Sequence, residues 1–264
     1  MTTTLSPATP TAGLDRAALL LDAFDGPGRL TLAQIVRRTG LPRSSAHRML
    51  ERLVQLRWLR REGRDYELGM RLFELGSLAV HQDRLHRAAL PFLHELHRLT
   101  GHAVHFAILE GIDVVYLEKI AGRFGVGLPS RVGGRQPAHC TSVGKVLLAH
   151  SSEDVVDRVV DAGLPRSTRF SIDSPAAFRA ELQKTRERGA AYDREEDLVG
   201  VSCVAVPVGT EGNVVAAISV CGPSSQIKLD HRLTAPIRMA AKGTWRNYMA
   251  TATPSAGRAD RHSA

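Results

Sequence analysis

The sequence predicts an α+β chain: an N-terminal winged helix-turn-helix, a linker helix and a C-terminal domain built on an antiparallel sheet. Three observations lead there. Residues 29–64 hold ten arginines, no lysine and two glutamates, a net +8 that equals the charge of all 264 residues, so the rest of the chain sums to zero. Within that stretch the apolar positions follow helical spacing on both sides of a glycine, and two short extended runs around a second glycine come next. Beyond Gly101 the apolar period changes from helical to extended, and strands, a block of helices and further strands follow.

Residues 1–13 are mostly Thr, Pro, Ala and Ser and predict a disordered arm, as does the tail 251–264. A first helix runs from Leu14 through Leu20, Leu21 and Phe24 to the turn Asp25-Gly26-Pro27-Gly28. Thr31 and Gln34 form a capping box for a helix over 32–38, which Gly40 ends. A second helix starts near Pro42 with Ala46, Met49, Leu50, Leu53 and Leu56 on its apolar face, and Arg43, Ser44, Ser45, His47, Arg48 and Arg52 opposite. Trp58–Arg61 and Tyr66–Leu68 flank a turn with Arg64 at its tip, which is a wing. The helix pair, turn and wing make 14–69 a DNA-binding domain, in which Arg43, Ser44, Ser45, His47, Arg48, Arg52 and Arg64 are the candidate contacts to double-stranded DNA.

Residues 70–83 read as a linker helix whose stripe Leu72, Leu75, Leu78 and Ala79 suits pairing with a second copy. The remaining domain, 84–250, starts with a helix over 84–100 carrying Leu85, Ala89, Phe92, Leu93, Leu96 and Leu99, with Pro91 as a kink and Gly101 as its end. AVHFAILE and DVVYLEKI around Gly111-Ile112 form a hairpin. GVGLPSRVGG lacks the spacing of a phosphate loop, which removes a nucleotide site. PAHCTSVGKVLLAH passes from a loop into a helix near Thr141, and helices at 152–162 and 174–188 follow. Ala190–Asp193 is a short strand, VSCVAVPVGTEGNVVAAISVCG a second hairpin, and a helix over 230–249 ends the domain.

The composition is that of an ordinary soluble chain, with no run of eighteen apolar residues and no signal peptide, which predicts a cytoplasmic protein without a membrane span. Cys140, Cys203 and Cys221 are too few and too scattered for a disulfide framework or a zinc knuckle, as expected in a reducing compartment. His81, His86, His94, His97, His102 and His105 crowd one region, but without matching cysteine or carboxylate spacing they read as solvated or core histidines. No cofactor or metal is expected.

With LPRSSAHRMLERL and the wing ending Tyr66-Glu67-Leu68-Gly69, then PAHCTSVGKVLLA, GAAYDREEDLVGVSCVAVPV and AAISVCGP in order, the chain resembles the IclR family of bacterial transcriptional regulators over roughly Leu14–Ala250. The resemblance implies a GAF-like effector domain, dimers or tetramers on palindromic operators, and an effector pocket at Ser142, Val143, Asp193, Cys203, Ser219 and Cys221. Ser142 stands where Gly or Ala is frequent in the family, and Cys221 where Ser is.

The residues support that pocket in their own right. Ser219 and Cys221 with period two, beside Cys203 on the partner strand, leave room for a small ligand, and the helix start near Thr141 suits a carboxylate. A small organic acid is therefore the expected effector. Three small core cysteines would fit the same pattern. The competing reading is a GAF-like enzyme with Cys140 as nucleophile beside His139, or with Asp193, Glu195 and Glu196 as acid and base.

Overall fold

The computed structural model describes residues 12–26, 28–122 and 127–252, and divides the chain into two compact units that meet between His81 and Gln82. Expectations for residues 1–11 and 253–264, for Pro27 and for residues 125 and 126 of the glycine-rich run lie outside the described residues.

In the first unit, α1 (Gly13–Asp22), α2 (Leu32–Thr39) and α3 (Arg43–Gln55) pack around Leu20, Phe24, Ile35, Ala46, Leu50 and Leu53. Thr31 caps α2 reciprocally with Gln34, and Gly40 ends it with φ 68°, a left-handed value that suits a residue without Cβ. Pro42 sits at the N-cap of α3 rather than inside its first turn. The wing strands β2 (Leu59–Glu62) and β3 (Asp65–Leu68) pair antiparallel, and β3 also takes β1 (Leu30–Thr31) on its other edge. That third strand was not expected. Buried Tyr66 and Leu59 fasten this small sheet to the helical core. α4 (Met70–Gln82) buries no residue, so the expected stripe is exposed or half-buried, and Phe73, which lies outside that stripe, is also largely open to solvent.

In the second unit, a six-stranded antiparallel sheet runs in the order β6-β5-β4-β9-β8-β7. Its strands are β4 (Ala103–Glu110), β5 (Asp113–Ile120), β6 (Arg135–Pro137), β7 (Ala191–Arg194), β8 (Val201–Thr210) and β9 (Asn213–Pro223). The alternation of side chains gives the sheet two cores. Val104, Phe106, Val204, Val206, Ile218 and Val220 face α5 (Arg84–Thr100) and α9 (His231–Ala252). Ala107, Tyr116, Ala205 and Ala217 face α6 (Ser142–Ala149), α7 (Glu153–Asp161) and α8 (Pro175–Arg188). This α+β architecture is the expected one.

Local details differ from the sequence reading. β6 and a 3-10 turn at Ala138–Cys140 occupy what reads as a loop. Leu99 and Leu56 end their helical stripes exposed rather than packed. Gly13 opens α1 and Thr251 and Ala252 still belong to α9, so neither stands outside the helices. His86 is a core residue bonded through Nε2 to Glu118 at 3.0 Å, and among the described residues no group of His, Cys, Asp and Glu could hold a metal ion.

Candidate functional site

Two sites follow, one in each unit. On α3 the apolar positions Ala46, Leu50 and Leu53 turn inward, which leaves Arg43, Ser44, His47, Arg48 and Arg52 on the exposed face and Ser45 half-buried at its edge. Arg64 stands at the tip of the wing, next to Gly63, whose φ of 61° makes the tight turn. A cluster ties wing to helix: Arg61 bonds Glu51 at 2.8 Å, Tyr66 Oη donates to the same carboxylate at 3.3 Å, and the Arg61 guanidinium lies over the Tyr66 ring.

The ten arginines are not equivalent. Arg29 pairs with Glu62 and Glu67, Arg57 with Glu74, Arg60 with Glu67 and Arg61 with Glu51, while Arg38 donates to the Ala23 carbonyl and Arg52 to Gln55. The side chains of Arg37, Arg43, Arg48 and Arg64 make no hydrogen bond or ion pair with another described residue. The unpaired positive charge is therefore narrower than the arginine count, and it lies along α2, α3 and the wing tip.

In the second unit all six residues proposed for the pocket come together around a cavity of about 30 Å3, between the sheet and the start of α6. That is room for about one water molecule. Thr141 caps α6 by accepting from the Gly144 amide at 3.1 Å, so Ser142 and Val143 are the first helical residues, whose amides have no carbonyl partner within the helix. Gly144 lets this end approach the preceding 3-10 turn, since a Cβ there would stand 2.1 Å from the Ala138 oxygen.

Across the cavity the walls are polar, and sequence reasoning missed five of them: His105, Tyr116, Ser130, Gln136 and Asp197. His105 Nε2 bonds Ser130 Oγ at 2.8 Å, and burial, with the nearby Lys119 charge, pushes its pKa down to about 3, so the ring is neutral. Tyr116 donates to Gln136, which in turn donates to Asp197 at 3.0 Å. Burial raises the Tyr116 and Asp197 pKa values. Burial also pushes Asp193 up to about 7, opposed by the charge of Lys145 and reinforced by Glu196.

Lys145 is not free to neutralise Asp193 or a ligand. It is fully buried and donates to both oxygens of Glu196, at 2.5 and 2.6 Å, and to the Tyr192 carbonyl. The Glu196 amide donates to Asp193 at 2.7 Å, which fixes the carboxyl against the cavity.

Two expectations need correction. Cys203 and Cys221 are not scattered: they stand opposite one another in the β8–β9 register, with Cα atoms 4.2 Å apart, and are joined as a disulfide. A hairpin brings residues 18 apart in sequence into contact. The enzyme reading also fails on geometry. Burial, followed by the Asp197 charge, pushes the Cys140 thiol up to about 12, and His139 turns away to bond the Pro165 carbonyl at 3.0 Å, so no activated thiolate exists. Of the proposed acid-base group, Glu196 is held by Lys145, and Glu195 accepts from the Gly200 amide at 2.8 Å.

Comparison with known proteins agrees with this two-site division. Residues 13–63 match the IclR helix-turn-helix domain, and residues 77–244 match the family described as bacterial transcriptional regulator IclR C-terminal. The chain is 36% identical over 219 residues to the HTH-type transcriptional regulator XynR of Escherichia coli, covering 81% of this chain and 87% of that one. It is 30% identical over 228 residues to the transcriptional repressor IclR of Escherichia coli, covering 84% and 83%. Its fold superposes with a TM-score of 0.80 on an IclR homologue from Microbacterium hydrocarbonoxydans complexed with 4-hydroxybenzoate, at 31% identity over 90% of this chain and 99% of that one. Among the described residues no helix is long and apolar enough to cross a membrane. The chain belongs to the IclR family of bacterial transcriptional regulators, non-enzymatic proteins that bind DNA through the helix-turn-helix and an effector through the C-terminal domain.

Proposed function

We propose that the protein binds a palindromic operator as a homodimer, or as a tetramer of two such dimers, and that a small monocarboxylic acid carrying a hydroxyl group controls this binding. Arg43, Ser44, Ser45, His47, Arg48 and Arg52 face the major groove, and Arg64 reaches the backbone beside it. α4 supplies the second copy's contact, because none of its apolar residues is buried within their own unit.

One observation carries the effector class: the cavity lining combines the free amides of a helix start with carboxyl groups. The amides of Ser142 and Val143 at the start of α6 suit a carboxylate, while the carboxyl groups of Asp193 and Asp197 disfavour a second one and hydrogen-bond a hydroxyl. Cys203, Ser219 and Cys221, also in the lining, are small enough to admit the ligand body once the cavity opens. The homologue that holds 4-hydroxybenzoate, an acid with a hydroxyl opposite its carboxylate, supports the same class.

The test is calorimetric titration of the full chain with 4-hydroxybenzoate, benzoate and terephthalate. We expect affinity to fall at least tenfold from the hydroxy acid to benzoate, with no binding of the diacid. Equal affinity for 4-hydroxybenzoate and benzoate would remove Asp193 and Asp197 from recognition.

A further inference from the structure

We propose that Cys203 and Cys221 form a redox-reversible bridge in the wall of the effector cavity, so that a two-electron oxidant such as a peroxide adjusts the response to effector. The inference rests on the reading of this cavity as the effector site, but its chemistry can be tested apart from that reading. The two residues have the close spacing of a non-hydrogen-bonded antiparallel pair, with Cα atoms 4.2 Å apart, and are bridged across the β8–β9 ladder. Both line the cavity, and Cys221 also borders a wider hollow of about 300 Å3 on its other side, flanked by Ala103, Lys119, Leu128 and Gly222.

The chemistry balances with peroxide alone. One thiol sulfur attacks a peroxide oxygen, the O–O bond breaks, and the first water leaves with the thiol proton and a sulfenic acid behind it. The second thiol then attacks that sulfur. The S–S bond forms as the S–O bond breaks, and the sulfenic oxygen departs as the second water with the second thiol proton. A dithiol reductant reverses the change by taking both oxidising equivalents.

The consequence for the cavity follows from size. Bonded sulfurs lie about 2.05 Å apart, whereas two thiols in van der Waals contact need roughly 3.5–4 Å. The β8–β9 ladder holds the backbones, so the added separation must come from rotation of the side chains. Ala103, Val201, Leu128 and Leu198 pack against the pair, and Cys203 borders the small cavity but not the wider hollow, so its released sulfur turns toward the cavity. In a space of about 30 Å3 that displacement removes much of the room and adds a thiol donor. The bridged form is the more receptive one. In a reducing compartment the dithiol is the resting form.

The experiment uses the full chain, treated either with hydrogen peroxide in small excess or with a phosphine reductant. After unfolding and alkylation with N-ethylmaleimide, mass spectrometry should find one adduct on the oxidised protein, at Cys140, and three on the reduced protein. Calorimetry with 4-hydroxybenzoate should give at least threefold tighter binding to the bridged form, and hydrogen exchange over residues 141–145 should differ between the forms. Cys221→Ser should bind equally under both treatments. If 4-hydroxybenzoate binds neither form but exchange still differs, the effector class is wrong and the bridge stands. Three adducts after oxidation, or a bridge that changes neither binding nor exchange, overturns the proposal.

Discussion

Replacing Asp193 by Asn tests the electrostatics of the cavity most directly. The carboxyl is buried and held near a pKa of about 7 in the folded protein, against an ordinary value of 3.8. Because the folded value is the higher one, the folded state holds the proton more tightly, and this contribution to stability is full below pH 3.8 and is lost as pH rises through about 7. Between pH 5 and pH 8 the wild type should lose roughly 2.5 kcal/mol from this group, taking about 1.4 kcal/mol per unit and allowing for its residual protonation. Asn keeps an oxygen for the Glu196 amide, which donates at 2.7 Å, and does not titrate. The variant should therefore gain on the wild type by about that amount across the same interval. Urea unfolding in a Trp58→Phe background, where Trp245 on α9 reports the C-terminal unit alone, measures it. If Asp193→Asn is less stable than wild type by the same margin at both pH values, the carboxylate is ionised throughout, and Lys145 rather than burial governs it.

Further outcomes follow from the same geometry. With Arg37, Arg43, Arg48, Arg52 and Arg64 as the phosphate and base contacts of each half-site, the slope of log K against log salt on a full operator should be near −8 to −9, against about −18 if all ten arginines took part. In fluorescence anisotropy Arg48→Ala should cost about 1–3 kcal/mol on the operator and less on unrelated DNA, Arg64→Ala should weaken both alike, and Arg60→Ala should leave the slope unchanged because Glu67 already holds it. Phe73→Asp with Leu78→Asp on α4 should shift sedimentation from dimer toward monomer at micromolar concentration, and an unshifted dimer would place the interface elsewhere. Gly144→Ala should lower the stability of the C-terminal unit by about 1–3 kcal/mol and weaken 4-hydroxybenzoate binding. Helix propensity alone predicts a gain of about 1 kcal/mol, but the new methyl meets the Ala138 backbone at 2.1 Å, so the sign of the urea midpoint shift decides which effect wins.

Elements whose signals are local were legible in the sequence. The Thr31–Gln34 box, Gly40 and Gly101 act over three or four residues, and the structure has α2 and α5 begin or end there. β1 and β6, two and three residues long, are too short to show any period. They exist because β3 and β5 offer them an edge, which is a tertiary cause. Leu56 and Leu99 continue an apolar stripe past the point where anything covers it, and periodicity cannot report where a neighbouring element stops.

The cavity was half legible for a related reason. Ser142, Val143, Asp193, Cys203, Ser219 and Cys221 could be named from motifs, and His105, the one polar residue in AVHFAIL, could have been read as a cavity residue from strand alternation. Asp197 and Gln136 could not, since one lies in a loop and the other on a three-residue strand. The cysteine pair was hidden by one residue of register. Thr210 stands opposite Asn213, and counting outward from that turn places Cys203 opposite Val220, a residue of the other core. The bulge at Val208 and Gly209 shifts the pairing by one, so that Cys203 meets Cys221. Gly209 makes the bulge possible: its φ is 141°, and a Cβ there would stand 2.1 Å from the Asn213 oxygen. One glycine next to the turn thus decides that two cysteines, the first six residues farther along the strand, share a face and a wall of the cavity.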